Sequence, residues 1–190
     1  MRRNTFQWSL AAAAFSLVAA ASFLSAPRIS SAQTNRNAAR ELHMCSLLSE
    51  GDVAPIVGAH QVAQETKGGT TCMWGDPGND PNKLRLLIQA PLFTQNATDP
   101  MSDANSVSRA KLESSFKANR NQAFGDKSSQ AKNEPQLGKD AFSALTDDGA
   151  EIIILKKTSL LNIHYLTGKR GTPENIEAIR NVAAKVAASF

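Results

Sequence analysis

DAFSALTDDGAEIIILKKTSLLNIHYLTGKRGTPENIEAIRNVAAKVAASF, residues 140–190, is the stretch on which the fold turns. Ile152-Ile153-Ile154-Leu155 is a continuous apolar run of strand length, which suits a central strand covered on both faces. Residues 140–145 predict the strand before it, and Thr146-Asp147-Asp148-Gly149 the turn between the two. Residues 160–166 predict the next strand, with Leu161, Ile163 and Tyr165 on one side. After Gly168-Lys169-Arg170-Gly171, Thr172 can cap a helix. Pro173 then sits at its first position, where a missing N–H costs nothing. Ile176, Ile179, Ala183, Val186 and Phe190 follow at helical spacing. Consecutive strands joined by turns and closed by an amphipathic helix predict an α+β fold, a meandering antiparallel sheet with helices packed on it.

Working back from there, residues 120–136 are polar, hold Gly125 and Pro135, and read as a long surface loop. A helix is expected over about 106–119, where Leu112 and Phe116 lie one turn apart. Residues 91–106 read as loop. Residues 83–89 alternate, with Leu84, Leu86 and Ile88 facing one way and Lys83, Arg85 and Gln89 the other, as in a half-buried strand. Asp76-Pro77-Gly78-Asn79-Asp80-Pro81-Asn82 is a dense turn cluster. Residues 62–66 and 71–74 flank Lys67-Gly68-Gly69 as a hairpin. Ser49 is placed to cap a short helix over about 49–57, with Asp52 able to reach back to it and Gly58 at its stop.

The amino end has a different composition. Arg2 and Arg3 precede an uncharged run of about 18 residues, Ser9 to Ala26, rich in Ala, Leu, Val and Phe. Small residues then stand at the −3 and −1 positions of a cut between Ala32 and Gln33. This three-part layout predicts a secretory signal peptide over residues 1–32, with 33–42 a flexible leader and 43–190 a single α+β domain. No Cys lies at the cut, so lipid attachment there is not expected. The whole chain has 21 basic and 17 acidic residues, a net charge of +4. Arg2, Arg3 and Arg28 would leave with the signal, and 18 minus 17 leaves only +1. That is no electrostatic case for nucleic acid.

The two cysteines, Cys45 and Cys72, most simply pair in an oxidising compartment. A metal site or two free thiols are the alternatives. His43 with Cys45 and Cys72 offers imidazole and thiolate ligands, but the spacing matches no standard metal motif. There is no Cys-x-x-Cys for redox exchange. Ser-x-x-Lys occurs at Ser108/Lys111, Ser114/Lys117 and Ser129/Lys132 without the companion motifs of penicillin-recognising enzymes. Asp76, Asn79, Asp80 and Asn82 could supply calcium ligands but lack EF-hand spacing. His164 shares a strand face with Asn162 and is the one histidine open to a spatial triad. The most specific candidate site is Lys169, Arg170, Gly171 and Thr172, where free amides at a helix start plus two cations could hold a phosphate or carboxylate. Trp74, beside Cys72, reads as a core aromatic.

Several landmarks taken together resemble a family of small exported actinobacterial-type proteins and lipoproteins of unknown function. They are Cys45-Ser46-Leu47-Leu48-Ser49, Asp52-Val53, Val57-Gly58, Cys72-Met73-Trp74, Leu137-Gly138, Asp140-Ala141-Phe142 and the closing Ala-rich helix. The resemblance covers about residues 43–189. It implies a Cys45–Cys72 bridge and an antiparallel sheet with packed helices, and it implies no activity. Some similar domains look like the PsbP/Mog1 type of α/β/α sandwich, an analogy of fold alone. The expected function is that of a periplasmic or secreted, non-catalytic cell-envelope protein. It would bind a protein or envelope component, need no cofactor or metal, and keep no membrane span once the signal is cut. A carrier of a small amphipathic or anionic ligand is the alternative, and an enzyme with an unrecognised site a third.

Overall fold

The computed structural model describes residues 43–190 apart from 67–68, 77–79, 81–82 and 95–106. The described residues fall within one compact unit, Ala38–Phe190. The signal peptide and flexible leader expected over residues 1–42 lie outside them, as does most of the turn cluster at 76–82.

Seven strands form one antiparallel sheet: β1 (Ala63–Glu65), β2 (Thr71–Gly75), β3 (Arg85–Phe93), β4 (Lys132–Asn133), β5 (Ala141–Thr146), β6 (Gly149–Leu155) and β7 (Ser159–Leu166). Their order is β1-β2-β3-β7-β6-β5-β4. The expected meander is therefore present as two meanders, β1 to β3 and β4 to β7, that meet where β3 pairs with β7. Apolar surface explains the join. Leu86 and Ile88 of β3 lie beside Tyr165 and Ile163 of β7, and Ile163 lies beside Ile152 of β6. One continuous greasy floor results, which the two-residue polar strand β4 could not extend. The β3–β7 register breaks between Gln89 and Leu92. Pro91 lies in that break and has no N–H to give a ladder.

Three helices cover the sheet: α1 (Glu50–Val57), α2 (Arg109–Gly125) and α3 (Pro173–Ala187). Helices α1 and α3 share one core with Leu86, Ile88, Ile152, Ile154, Leu161 and Ile163. Helix α2 lies on the opposite face, where Leu112, Phe116 and Ala123 pack with Phe142, Ala144, Ile153 and Leu160. This alternation is why residues 152–155 carry no polar break. Ile152 and Ile154 face one core and Ile153 the other. In α3 the side chains of Ile176, Ile179, Val182 and Val186 are all buried, each contributing roughly 1.5–3 kcal/mol of apolar transfer.

Helix α1 starts as its sequence predicts. Ser49 and Asp52 form a reciprocal capping box. The Asp52 carboxylate also accepts from Lys185 Nζ of α3 at 2.6 Å, and the Lys185 and Ser49 hydrogen bonds hold it well below the usual carboxylate range. At the other end of α1, the buried Tyr165 hydroxyl donates to the Ile56 carbonyl at 3.0 Å. Helix α1 is thus tied to α3 at one end and to the sheet at the other.

Two expectations need correction. The strand expected at 83–89 begins at Arg85 and runs to Phe93, and Leu84 is exposed rather than on the buried face. The helix expected over 106–119 runs from Arg109 to Gly125, so the long loop expected over 120–136 is absent. In its place are the end of α2, two short 3-10 turns (Lys127–Ser129 and Pro135–Leu137) and β4. Composition misled here because α2 buries so little. Only Leu112, Phe116 and Ala123 are buried along it, and most of its other positions are polar and face water.

The feature that most distinguishes this region is Glu134, just 3% exposed. Its carboxylate accepts from Arg180 Nε of α3 at 3.0 Å, from Ser143 Oγ of β5 at 2.7 Å and from Gln136 Nε2. Burial works to raise its pKa. The hydrogen bonds from Arg180, Ser143 and Gln136 outweigh it and leave the carboxyl below the ordinary glutamate value.

Candidate functional site

The β5–β6 turn and the loop into α3 are knotted together. The Gly171 amide donates to the Thr146 carbonyl at 2.9 Å, and the Thr167 and Gly168 amides donate to the Asp148 carbonyl. The backbones meet closely. A Cβ on Gly171 would lie 1.7 Å from the Gly149 carbonyl oxygen, and one on Gly149 would lie 1.8 Å from that of Tyr165. Only glycine fits at either place.

That knot occupies the predicted anion site. Arg170 pairs with Asp147 Oδ1 at 2.6 Å and donates to the Ser128 carbonyl. The Thr172 amide donates to Asn175 Oδ1 at 2.9 Å within a capping box that closes the start of α3. The Lys169 amide donates to the Thr167 hydroxyl, and among the described residues the Lys169 ammonium has no partner. Lys169, Arg170, Gly171 and Thr172 do share one loop, but their donors are engaged by the fold itself. An anion there would displace Asp147 or Asn175.

His164 is brought beside a hydroxyl and carboxylates, the grouping that would mark a nucleophilic relay. Its Nε2 lies 3.3 Å from Thr146 Oγ1 and 3.3 Å from Asp148 Oδ1. Glu151 is its register partner on β6. Burial pushes the Glu151 carboxyl up, and the nearby His164 charge and an Asn162 hydrogen bond pull it only part of the way back. A relay needs the hydroxyl on one ring nitrogen and the orienting acid on the other. Here Thr146 and Asp148 converge on the same nitrogen, and Thr146 Oγ1 donates to Asp148 Oδ1 at 2.8 Å. The nearby amides of Thr167, Gly168 and Gly171 are all bonded to carbonyls. This cluster fastens a turn.

Cys45 and Cys72 are joined in a disulfide. It ties the first 3-10 turn, Met44–Leu47, to β2, and a bridge of this kind persists in an oxidising environment. His43 turns to Glu65, with Nδ1 3.0 Å from Oε2, while the Cys45 amide donates to Oε1. These bonds, that from His43 first, lower the Glu65 pKa. Among the described residues no three or more His, Cys, Asp or Glu side chains group as a metal ion requires. Of the calcium candidates, Asp76 pairs with Lys83 at 3.5 Å, while Asn79 and Asn82 lie outside the described residues. Trp74 is buried in the same core as Cys72, as its sequence position predicts. The Ser-x-x-Lys serines serve local structure. Ser108 caps α2, Ser114 Oγ donates to the Lys111 carbonyl and Ser129 Oγ to the Asp126 carbonyl.

The strongest candidate surface is one the sequence did not single out. A cleft of about 470 Å³ opens between α2 and the β4–β5 edge. Arg109, Glu113, Phe116, Lys117 and Arg120 of α2 line one wall. Their spacing of four, three, one and three places them on a single helix stripe. Asn133, Pro135, Lys139, Asp140 and Ala141 line the facing wall, and Leu155 completes the lining. The lining charges are four cations against two carboxylates. The stripe was legible in principle, but Asn133 and Pro135 of the facing wall come from the segment that read as loop.

No family model, no curated protein and no solved structure matches this chain. What stands is the class its fold defines, an α+β domain with one antiparallel sheet and helices on both faces. Among the described residues no helix is long and apolar enough to cross a membrane.

Proposed function

We propose that this is an exported, non-catalytic cell-envelope protein that binds a component of the envelope, and that the α2 cleft is its binding surface. The observation that carries this is the cleft, which sets three cations, with no ion-pair partner among the described residues, beside the Phe116 and Leu155 side chains. Arg109 is the fourth cation, and it pairs with Glu113 at 2.9 Å. Like charges gathered on one surface repel one another at a cost to the fold, so a partner that neutralises them is the reading this geometry favours. Export is supported by the Cys45–Cys72 bridge and agrees with the signal-like composition of residues 1–32 and with the resemblance to small exported proteins.

Two measurements in the native host test the reading. Intact mass should show a chain that has lost residues 1–32 and retains the disulfide; intact Met1 or two free thiols would end the export claim. A photoreactive residue at position 117 should crosslink to an envelope component, whereas one at position 189, on the far face, should not. Equal adducts from both positions, or none from 117, would end the claim for the cleft.

A further inference from the structure

Resting on the reading of the cleft as the binding surface, we infer that its ligand is an anionic amphiphile: one phosphate or carboxylate head on a short apolar chain. Four of the lining residues fix the charge pattern. Arg109 is spent within the fold, since it pairs with Glu113 and donates to the Lys157 carbonyl at 3.0 Å. Arg120 is held in place by Asn133 Oδ1 at 3.0 Å and by the face of Phe124, 4.4 Å away. Those contacts orient its guanidinium without cancelling its charge. Among the described residues, the ammonium groups of Lys117 on the helix wall and Lys139 on the sheet wall have no hydrogen-bond or ion-pair partner. Asp140 is the one acid left against these three cations, so the cleft offers an uncompensated positive bracket.

The floor is apolar and firm. Phe116 is 6% exposed, and its ring packs on Phe142 with centroids 5.6 Å apart. Leu155, partly buried against that same core, continues this surface. A bare inorganic anion would leave that floor wet, and a neutral amphiphile would leave the bracket unanswered. A ligand with both parts satisfies each wall at once, and the cleft volume lies within the ~300–1,000 Å³ usual for small-molecule sites.

The test uses the oxidised full chain and follows backbone amide signals by NMR during titration with decyl phosphate, decyl maltoside and inorganic phosphate. Decyl phosphate should move the signals of Phe116, Ala141 and Leu155, with an affinity about tenfold or more above either control. The doubly substituted Lys117→Glu, Lys139→Glu protein should weaken that binding by about tenfold. Lys169→Glu, outside the cleft, should leave it unchanged. Both cleft lysines are exposed, and an unchanged thermal midpoint verifies that the variant folds. Phosphatidylcholine vesicles with and without phosphatidylglycerol separate the sources. A response only to vesicles carrying the anionic lipid assigns the head to a membrane, and one only to decyl phosphate assigns it to a free amphiphile. Equal affinity for decyl maltoside overturns the anionic head, and equal affinity for inorganic phosphate overturns the chain. If no probe moves the cleft signals, the ligand class is wrong. Crosslinking from position 117 then still decides whether the cleft binds anything.

Discussion

Arg180→Met should destabilise the protein by about 3 kcal/mol at neutral pH, and adding Glu134→Gln should recover most of the loss. Glu134 is 3% exposed, and among the described residues Arg180 supplies its only cation, through Nε and a second guanidinium nitrogen. Removing one partner of a buried pair costs ~3–5 kcal/mol because the other charge is stranded. The lower end applies here, since 28% of the Arg180 side chain is exposed and Ser143 and Gln136 still donate to the carboxylate. Glu134→Gln alone should cost only ~1 kcal/mol, because Arg180 already pairs with Glu177 and its freed guanidinium nitrogens can reach water. Urea unfolding followed by circular dichroism would read these values, and the single Arg180 variant should melt ~6–12 °C lower. The pH dependence has a definite sign. In the native protein the folded pKa of Glu134 is lowered below 4.5, so its stabilisation is present above that pH and is lost as pH falls through the folded value. Without Arg180, burial goes unopposed by a cation and the folded pKa rises above the unfolded one. Acidification should then relieve the penalty instead of adding to it. Additive effects of the two substitutions, or the same pH slope in both proteins, would refute a stranded buried charge.

Reduction of the Cys45–Cys72 bridge reopens a loop of 27 residues of sequence separation and should cost about 3.5 kcal/mol on the chain-entropy model; unfolding with and without reductant measures it. Gly171→Ala should destabilise at or beyond the upper end of the ~1–3 kcal/mol range for overpacking, because the new Cβ meets the Gly149 carbonyl and not a movable side chain; a thermal midpoint unchanged from the parent would contradict this. Glu151 has its folded pKa raised by burial, so it opposes folding at neutral pH and stability rises as pH falls through the folded value toward 4.5. Glu151→Gln should therefore gain stability at pH 7 and lose that acid-side rise, which unfolding curves collected across the range would reveal.

The last fifty residues were the most legible part of the chain, for local reasons. A run such as Ile152-Ile153-Ile154-Leu155 has few ways to hide from water except between two cores. Thr172-Pro173 followed by Ile176, Ile179 and Val186 states both a helix start and its buried face. Ser49 and Asp52 sit three apart, so their capping box needs no distant partner. The reach of α2 to Gly125 was illegible because its polar residues satisfy water whether helical or not. Ala123 in the core around Phe142 and the Phe124 ring 6.1 Å from that of Phe142 distinguish the two outcomes, and both cross from helix to sheet.

By itself the sequence determined the α+β class, the closing strands and helix, both helix caps and the availability of two sulfurs for a bridge, since each depends on periodicity or on neighbours within a few positions. Only the tertiary structure decided that β3 docks on β7, that Arg170 is spent on Asp147, that Glu134 is buried against Arg180, and that Lys117 faces Lys139 across a cleft. Those pairings join residues 22 to 81 positions apart. Chain spacing carries no record of them; they exist because the folded sheet brings its helices and edges together.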